Sequence, residues 1–152
     1  PKFPNLHFYR GYLYSVQGNP KLSAEEYQKE LANNPTSVRT LIALGKEKIE
    51  LGMVAGPGGA QELFNKAMTL QPTSSDARNQ AGYAAYLLKN YQAAIALYNA
   101  ALAYDRANPA IYKRLGLAHR DAGDSAAAAV AFRKYLEMEP DAPDKAEFER
   151  YR

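Results

Sequence analysis

The sequence predicts an all-α protein in which antiparallel helix pairs stack into a solenoid. A pattern of about 34 residues recurs along the 152-residue chain, and each unit contains two amphipathic segments separated by a polar or glycine-containing break. Glycines recur at matching places, at spacings of 34, 37 and 34 residues; they are Gly11, Gly45, Gly82 and Gly116. A unit of this size buries its apolar face only by stacking on its neighbours, which predicts a solenoid.

Four units follow from aligning the glycines and a matching position near the end of each unit, which is occupied by Pro35, Pro72, Arg106 and Pro140. The predicted repeats are 4–37, 38–74, 75–108 and 109–142, all within a single domain over residues 1–152. Residues 143–152 predict a ninth, polar helix that caps the last repeat.

The second unit is three residues longer because of the glycine-rich stretch 52–59. We interpret this stretch as a lengthened turn between two helices. A secondary contact site built around Met53 and Val54 is the alternative.

Glycine inside a helix costs roughly 1 kcal/mol relative to alanine, so its recurrence in the first helix of each unit predicts that a neighbouring helix passes very close. Small residues follow twelve positions later, and we expect Ala94 and Ala128 to face Gly82 and Gly116.

Two further patterns indicate helix starts. Ser23 and Glu26 have the spacing of a capping box. We expect Pro109 and Pro143 each to occupy the first helical position, where the missing N–H is harmless.

Composition excludes several classes of function. Hydrophobic residues make up 47% and charged residues 23% of the chain, as in an ordinary folded soluble domain. The absence of cysteine excludes a disulfide scaffold, a thiolate zinc site and a cysteine nucleophile. The net charge of +3 is spread evenly, so we expect no nucleic-acid partner. No apolar run approaches the roughly 20 residues of a membrane span, so we expect no membrane insertion; the compartment, cytoplasmic or periplasmic, stays open.

The repeat resembles a known family. The 34-residue spacing, with Leu115 and Gly116 followed by Ala128, Phe132 and Pro140, resembles the tetratricopeptide repeat, and the resemblance extends over all four units. It implies a right-handed superhelix of four helix pairs. It also implies a concave surface, lined by the first helix of each pair, on which proteins of this family commonly bind ligands.

The resemblance, carried over position by position, implies a groove of rings, cations and carboxamides. The candidate partner-binding residues are Phe8, Tyr9, Tyr12, Arg39, Lys46, Asn79, Gln80, Tyr83, Tyr86, Lys113, Arg114, Leu117 and Arg120. Tyrosine and arginine dominate interface hot spots, and a carboxamide can pair with the backbone of an extended peptide. We therefore predict a non-catalytic protein-interaction scaffold that binds a peptide or a helix of a partner. Because only Glu50, Asp76 and Asp121 oppose the cations, we expect the partner to carry acidic groups.

Two other functions stay open. The chain could be a self-associating segment of a larger assembly, with the Phe148 and Tyr151 end and the first helix as its adhesive surfaces. An aromatic groove can also stack sugars, as in a glycan-binding repeat domain of a bacterial polysaccharide-export or outer-membrane assembly protein.

One binding mode of the family is disfavoured. Some tetratricopeptide co-chaperones clamp a C-terminal carboxylate with lysine, asparagine and arginine side chains. The corresponding positions here are Ile42, Lys46, Gln80, Ala110 and Arg114, of which only Arg114 matches outright.

Catalysis is also disfavoured, and we predict no enzyme, no catalytic residue, no cofactor and no metal. His7 and His119 are the only histidines, and their nearest acids do not follow at a metal-binding spacing. No Gly-x-Ser-x-Gly motif is present. We interpret His119 as a residue that packs between helices.

Overall fold

The computed structural model describes residues 3–151, which form nine helices and contain no strand. The helices are α1 Leu6–Val16, α2 Pro20–Asn33, α3 Val38–Glu50, α4 Ala60–Leu70, α5 Ser75–Leu87, α6 Tyr91–Leu102, α7 Pro109–Asp121, α8 Ser125–Met138 and α9 Lys145–Glu149. The predictions for residues 1, 2 and 152 lie outside the described residues. Helices α1 to α8 form four antiparallel pairs, which confirms the predicted all-α solenoid.

Polar side chains start four of the helices. In each case an oxygen of the capping residue accepts a hydrogen bond from the backbone N–H three residues later, at 3.0–3.3 Å. The capping residues are Asn19, Ser74, Asn90 and Asp124. These caps satisfy N–H groups that have no partner within the helix. They occupy the polar positions that separate the amphipathic segments in the sequence.

The capping box expected at Ser23 is wrong. Helix α2 begins at Pro20, so Ser23 lies inside it and is fully buried. Its hydroxyl donates to the carbonyl oxygen of Gly11 at 2.8 Å and joins α2 to α1. The prediction for Pro109 is confirmed, since it is the first residue of α7.

The last helix is shorter than the predicted segment 143–152. It begins at Lys145, two residues after Pro143, and ends at Glu149. The residues before it form a turn, in which the Lys145 N–H donates to the carbonyl oxygen of Ala142 at 3.0 Å. This turn delays the start of the helix.

The close approach at the helix glycines exists, but the facing residue differs from the prediction. A Cβ atom on Gly82 would lie 2.7 Å from the ring of Tyr98, and one on Gly116 would lie 2.4 Å from the ring of Phe132. Gly11 and Gly45 face Tyr27 and Phe64 in the same way. The aromatic ring, one helical turn beyond the small residue, therefore lies against the glycine. Ala94 and Ala128 are fully buried, but they are not the atoms nearest the glycines.

Successive pairs stack through the second helix of one pair and the first helix of the next: α2 on α3, α4 on α5 and α6 on α7. The first helices also contact each other directly, α3 with α5 and α5 with α7. The first helices therefore form the inner layer of the solenoid, and the second helices form the outer layer.

The 52–59 stretch caps α4 with its backbone. The carbonyl oxygens of Met53 and Val54 accept from the N–H groups of Ala60 and Gln61 at 2.9 and 3.0 Å. Three of its glycines adopt positive φ values, which side-chain-bearing residues rarely do. Val54 packs against the core, whereas Met53 is exposed. The geometry is that of a lengthened turn.

The C-terminal end is covered by α9. Phe148 is buried, stacks on Phe132 with ring centroids 4.4 Å apart and meets Tyr135 edge-on at 5.9 Å. Tyr151 is half-buried, with its ring centroid 5.2 Å from that of Phe132. The expectation that Phe148 forms an exposed adhesive end is therefore wrong, because α9 folds back onto α8.

Candidate functional site

The first three inner helices surround a cavity of about 410 Å³, here called the N-terminal cavity. Four candidate groove residues line it: Phe8, Tyr12, Arg39 and Lys46. Four more lining residues occupy positions that the family places on the concave surface: Ser15, Ile42, Ala43 and Asp76. The helical repeat positions thus bring these side chains to one face.

Rings and a guanidinium group stack at the rim of this cavity. The Arg39 guanidinium carbon lies 4.0 Å from the centroid of the Phe8 ring and 5.8 Å from that of Tyr9. Tyr9 meets Phe8 edge-on at 5.8 Å. Such cation–π contacts hold the guanidinium over the rings without neutralising its charge. Within residues 3–151, neither Arg39 nor Lys46 forms an ion pair with a carboxylate.

A second cluster joins α5 to α7 at the centre of the concave face. Arg114 donates to the Asn79 side-chain oxygen at 3.0 Å, and its guanidinium carbon lies 4.4 Å from the centroid of the Tyr83 ring. Gln80 donates to Asp76 at 3.3 Å. Both carboxamides are buried, and each has one polar group in an internal hydrogen bond. Their remaining groups, Asn79 Nδ2 and Gln80 Oε1, form no hydrogen bond with the described residues.

Beside this cluster is a small cavity of about 20 Å³, here called the central cavity. Its lining residues are Tyr83, Tyr86, Tyr98, Arg114 and Leu117. Four of them are candidate groove residues, and the fifth, Tyr98, comes from the outer helix α6.

Tyr86 is tied to the end of α7. Its hydroxyl donates to Asp121, which also accepts from Arg120 Nε at 2.7 Å. The hydrogen bond from Arg120, aided by that from Tyr86, holds the pKa of Asp121 below its ordinary value although partial burial opposes this. Burial and the bond to Asp121 raise the pKa of Tyr86 to about 12. At neutral pH, Asp121 is therefore an anion and Tyr86 is a neutral donor.

Two candidate cations are engaged with carboxylates at the C-terminal end. Lys113 forms an ion pair with Asp144. Burial raises the pKa of the Asp144 carboxyl, but its hydrogen bonds with Lys113 and Tyr135 outweigh this effect, so its pKa lies below the ordinary value. Arg120 contacts Glu147 at 3.5 Å in addition to Asp121. The structure therefore directs Lys113 and Arg120 toward α9. Arg39, Lys46 and Arg114 are the candidate cations without a carboxylate partner among residues 3–151.

Tyr27 and Tyr98 are not among the groove residues predicted from the sequence. Both belong to outer helices, yet each lines one of the two cavities because its ring lies against a glycine of the inner helix. The sequence does contain a pattern that distinguishes these two positions. The aromatic position is tyrosine in the first and third units, and phenylalanine, Phe64 and Phe132, in the second and fourth.

The histidines form local contacts. His7 Nδ1 lies 2.8 Å from Glu26, and half-buried His119 lies 4.0 Å from Asp124. Across residues 3–151, no group of three or more histidines and carboxylates is placed to hold a metal ion. None of the helices in that part of the chain has the length and apolar character of a membrane span.

A stack of helix pairs whose inner layer gathers rings, cations and carboxamides defines a class, the helical-repeat interaction proteins. The sequence profile of the tetratricopeptide repeat matches residues 56–110 and 93–143, more than half of the chain. The chain belongs to the tetratricopeptide repeat family, whose members are generally non-catalytic interaction scaffolds.

Solved structures agree with this assignment. A structure of MamA is 28% identical, with a TM-score of 0.76 over 86% of this chain and 74% of that one. MamA from Desulfovibrio magneticus RS-1 is 19% identical, with a TM-score of 0.84 over 97% and 82% of the two chains. YrrB, described as a tetratricopeptide repeat protein with an unusual peptide-binding site, is 17% identical, with a TM-score of 0.80 over 95% and 73%. No functionally curated protein matches the chain.

Proposed function

We propose that the chain is a non-catalytic adaptor whose concave face binds a peptide or helix of a protein partner. In this proposal residues 1–152 act as one domain of four repeats, 4–37, 38–74, 75–108 and 109–142. The observation that carries the proposal is the N-terminal cavity, where aromatic side chains lie beside two cations, Arg39 and Lys46, that have no carboxylate partner among residues 3–151.

The chemistry of the cavity indicates what the partner presents. Phe8, Ile42 and Ala43 supply apolar surface, and rigid rings contribute contact area at little entropic cost. Arg39 and Lys46 flank this surface, and the lining also contains two carboxylates, Asp76, which accepts from Gln80, and the buried Glu47. Neither carboxylate forms an ion pair with Arg39 or Lys46. An apolar or aromatic side chain flanked by an acidic residue complements this arrangement. The shared fold of YrrB, described as having a peptide-binding site, supports the use of such a scaffold for peptides.

The test is to select peptides from a displayed library of random 12-residue sequences on the wild-type protein, then measure their affinities as synthetic labelled peptides by fluorescence anisotropy. We expect the triple variant Tyr12→Ala/Arg39→Ala/Lys46→Ala to bind them at least about tenfold more weakly, because tyrosine and arginine truncations at hot spots each cost more than about 1 kcal/mol. All three side chains are exposed, so the fold should tolerate the change.

The matched control is Tyr104→Ala/Arg133→Ala/Lys134→Ala, which removes the same residue types from exposed positions outside the concave face. Affinities within twofold of wild type are expected for it. Equal weakening by both variants, or none by either, would contradict the proposal. A mixture of soluble oligosaccharides in the same assay tests the glycan alternative.

A specific observation favours self-association as a second candidate function. Leu6 and Leu13 of α1 are 45% and 57% exposed. The residues at the same repeat positions in the next three units are at most 7% exposed, because the preceding outer helix covers them. The position of Leu6 is occupied there by Thr40, Ala77 and Ile111, and that of Leu13 by Glu47, Ala84 and Ala118. A second copy of the chain could cover this apolar face of α1.

If a second copy covers it, Leu13→Glu should reduce the dimer fraction by at least about tenfold, since it would bury an unpaired carboxylate in the interface. Sedimentation velocity across a concentration series measures this. The control is Val130→Glu, at an apolar residue of the outer layer that is even more exposed than Leu13, and no change is expected for it. A wild-type chain that stays monomeric throughout the series contradicts this candidate.

A further inference from the structure

Tyr98 carries a hydroxyl group that the fold does not use. Its side chain is fully buried, and its hydroxyl oxygen has no hydrogen-bond partner among the described residues. Burying a hydroxyl without a partner is unfavourable. The equivalent positions of the second and fourth repeats hold Phe64 and Phe132, each packed against a glycine in the same way. A ring without a hydroxyl therefore satisfies the packing at this position.

The Tyr98 hydroxyl is buried beneath the concave face. The Tyr98 ring passes Gly82 of the inner helix and lines the central cavity together with Tyr83, Arg114 and Leu117. The cavity volume of about 20 Å³ is enough for one oxygen-sized atom, because a buried water needs a cavity of roughly 10–15 Å³. Burial raises the pKa of Tyr98, so the group is a neutral donor at physiological pH.

The polar groups next to this apolar cavity favour an acceptor. Arg114 uses one nitrogen for its bond to Asn79, and its other N–H groups have no partner among residues 3–151. Asn79 Nδ2 is a further donor nearby. The Tyr86 hydroxyl does not compete for a ligand, because it donates to Asp121.

The same surroundings favour a neutral acceptor over a carboxylate. Rings and Leu117 dominate the lining, and burying a charge among them is costly. The anion Asp121 is bonded to Tyr86 at the edge of the cavity and would repel a second negative charge. A backbone carbonyl oxygen has partial negative charge and the size of the cavity.

We propose that Tyr98 is a ligand-binding residue, whose hydroxyl donates a hydrogen bond to a backbone carbonyl oxygen of a peptide bound on the concave face. The hydroxyl has no solvent contact, so binding requires a rotamer change in the cavity lining, of the kind common at interfaces, and the half-buried Arg114 is the longest and most flexible of the lining side chains. This inference rests on the proposed function and names a subsite within it.

The test uses the library-selected peptides and the variant Tyr98→Phe. We expect about fivefold weaker binding, the effect of losing one neutral hydrogen bond, while the thermal midpoint stays equal to wild type or rises because an unpaired hydroxyl is removed. Tyr104→Phe, which removes an exposed hydroxyl outside the concave face, should change neither quantity.

Two peptide series identify the acceptor. Replacing one backbone amide by an ester weakens its carbonyl as an acceptor, so one ester position should weaken binding to wild type but not to Tyr98→Phe. If instead replacing an acidic residue by its amide weakens binding to wild type but not to Tyr98→Phe, the acceptor is a side-chain carboxylate. That result overturns the assignment to a backbone carbonyl.

The outcomes separate the two proposals. Selected peptides that require Arg39 and Lys46 but bind Tyr98→Phe as tightly as wild type overturn this inference and leave the proposed function intact. A lower thermal midpoint of Tyr98→Phe with unchanged affinity shows an internal role for the hydroxyl and also overturns it. A library that yields no peptide dependent on the concave face overturns the proposed function and this inference with it.

Discussion

Phe132→Ala is expected to lower the free energy of unfolding by about 3–5 kcal/mol, the usual cost of truncating a buried phenylalanine. Phe132 is 1% exposed and packs against Gly116 of the inner helix. Its other side stacks on Phe148 and contacts Tyr151. The truncation therefore weakens the packing of both the fourth helix pair and α9. It also leaves a cavity between α7, α8 and α9 that these helices cannot fill completely by moving together.

Urea unfolding followed by circular dichroism at 222 nm measures this loss. The control is Val130→Ala, in the same helix but 65% exposed, for which a change within about 0.5 kcal/mol is expected. A loss below about 1 kcal/mol for Phe132→Ala would contradict the packing of α8 between α7 and α9.

Gly45→Ala is expected to destabilise the protein by about 1–3 kcal/mol, the cost of overpacking. The new Cβ would lie 2.3 Å from the Phe64 ring, closer than any real contact, and that ring is fully buried. The sign of this stability change distinguishes crowding from helix propensity. At an uncrowded helix position the same change stabilises by up to about 1 kcal/mol, because alanine is the better helix former.

A double-mutant cycle isolates the cause. Phe64→Leu removes part of the ring that the new methyl group meets, so Gly45→Ala should cost less in that background than in wild type, with a coupling of at least about 0.5 kcal/mol. Urea unfolding of the four proteins gives the value. Additive effects would show that the glycine is needed for a reason other than this ring.

Much of the fold could be predicted from the sequence because it depends on local periodicity. Gly82 and Gly116 mark the crowded points, and polar residues such as Asn90 and Asp124 start the helices where the pattern breaks. The partner of each glycine was predicted one helical turn too early. Distance along the helix alone does not say whether a small side chain or the following ring faces the glycine, and the packing of the ring settled this.

The candidate site could likewise be predicted only in part from the sequence. The repeat places Phe8, Tyr12 and Arg39 on one face, since matching positions of successive inner helices point to the same side. Whether a cation on that face is free of a carboxylate partner depends on residues distant in the sequence. Lys113 pairs with Asp144, thirty-one residues away, and no local pattern specifies that pair.

The sequence by itself therefore determined the helices, their pairing, the inner layer and the family, because each follows from a repeat that every unit carries. Tertiary structure alone decided that α9 folds back over Phe132, that Lys113 is neutralised, and that the Tyr98 hydroxyl is buried without a hydrogen-bond partner among the described residues. These depend on side chains from different elements meeting in space, where burial and hydrogen bonding outweigh local preference.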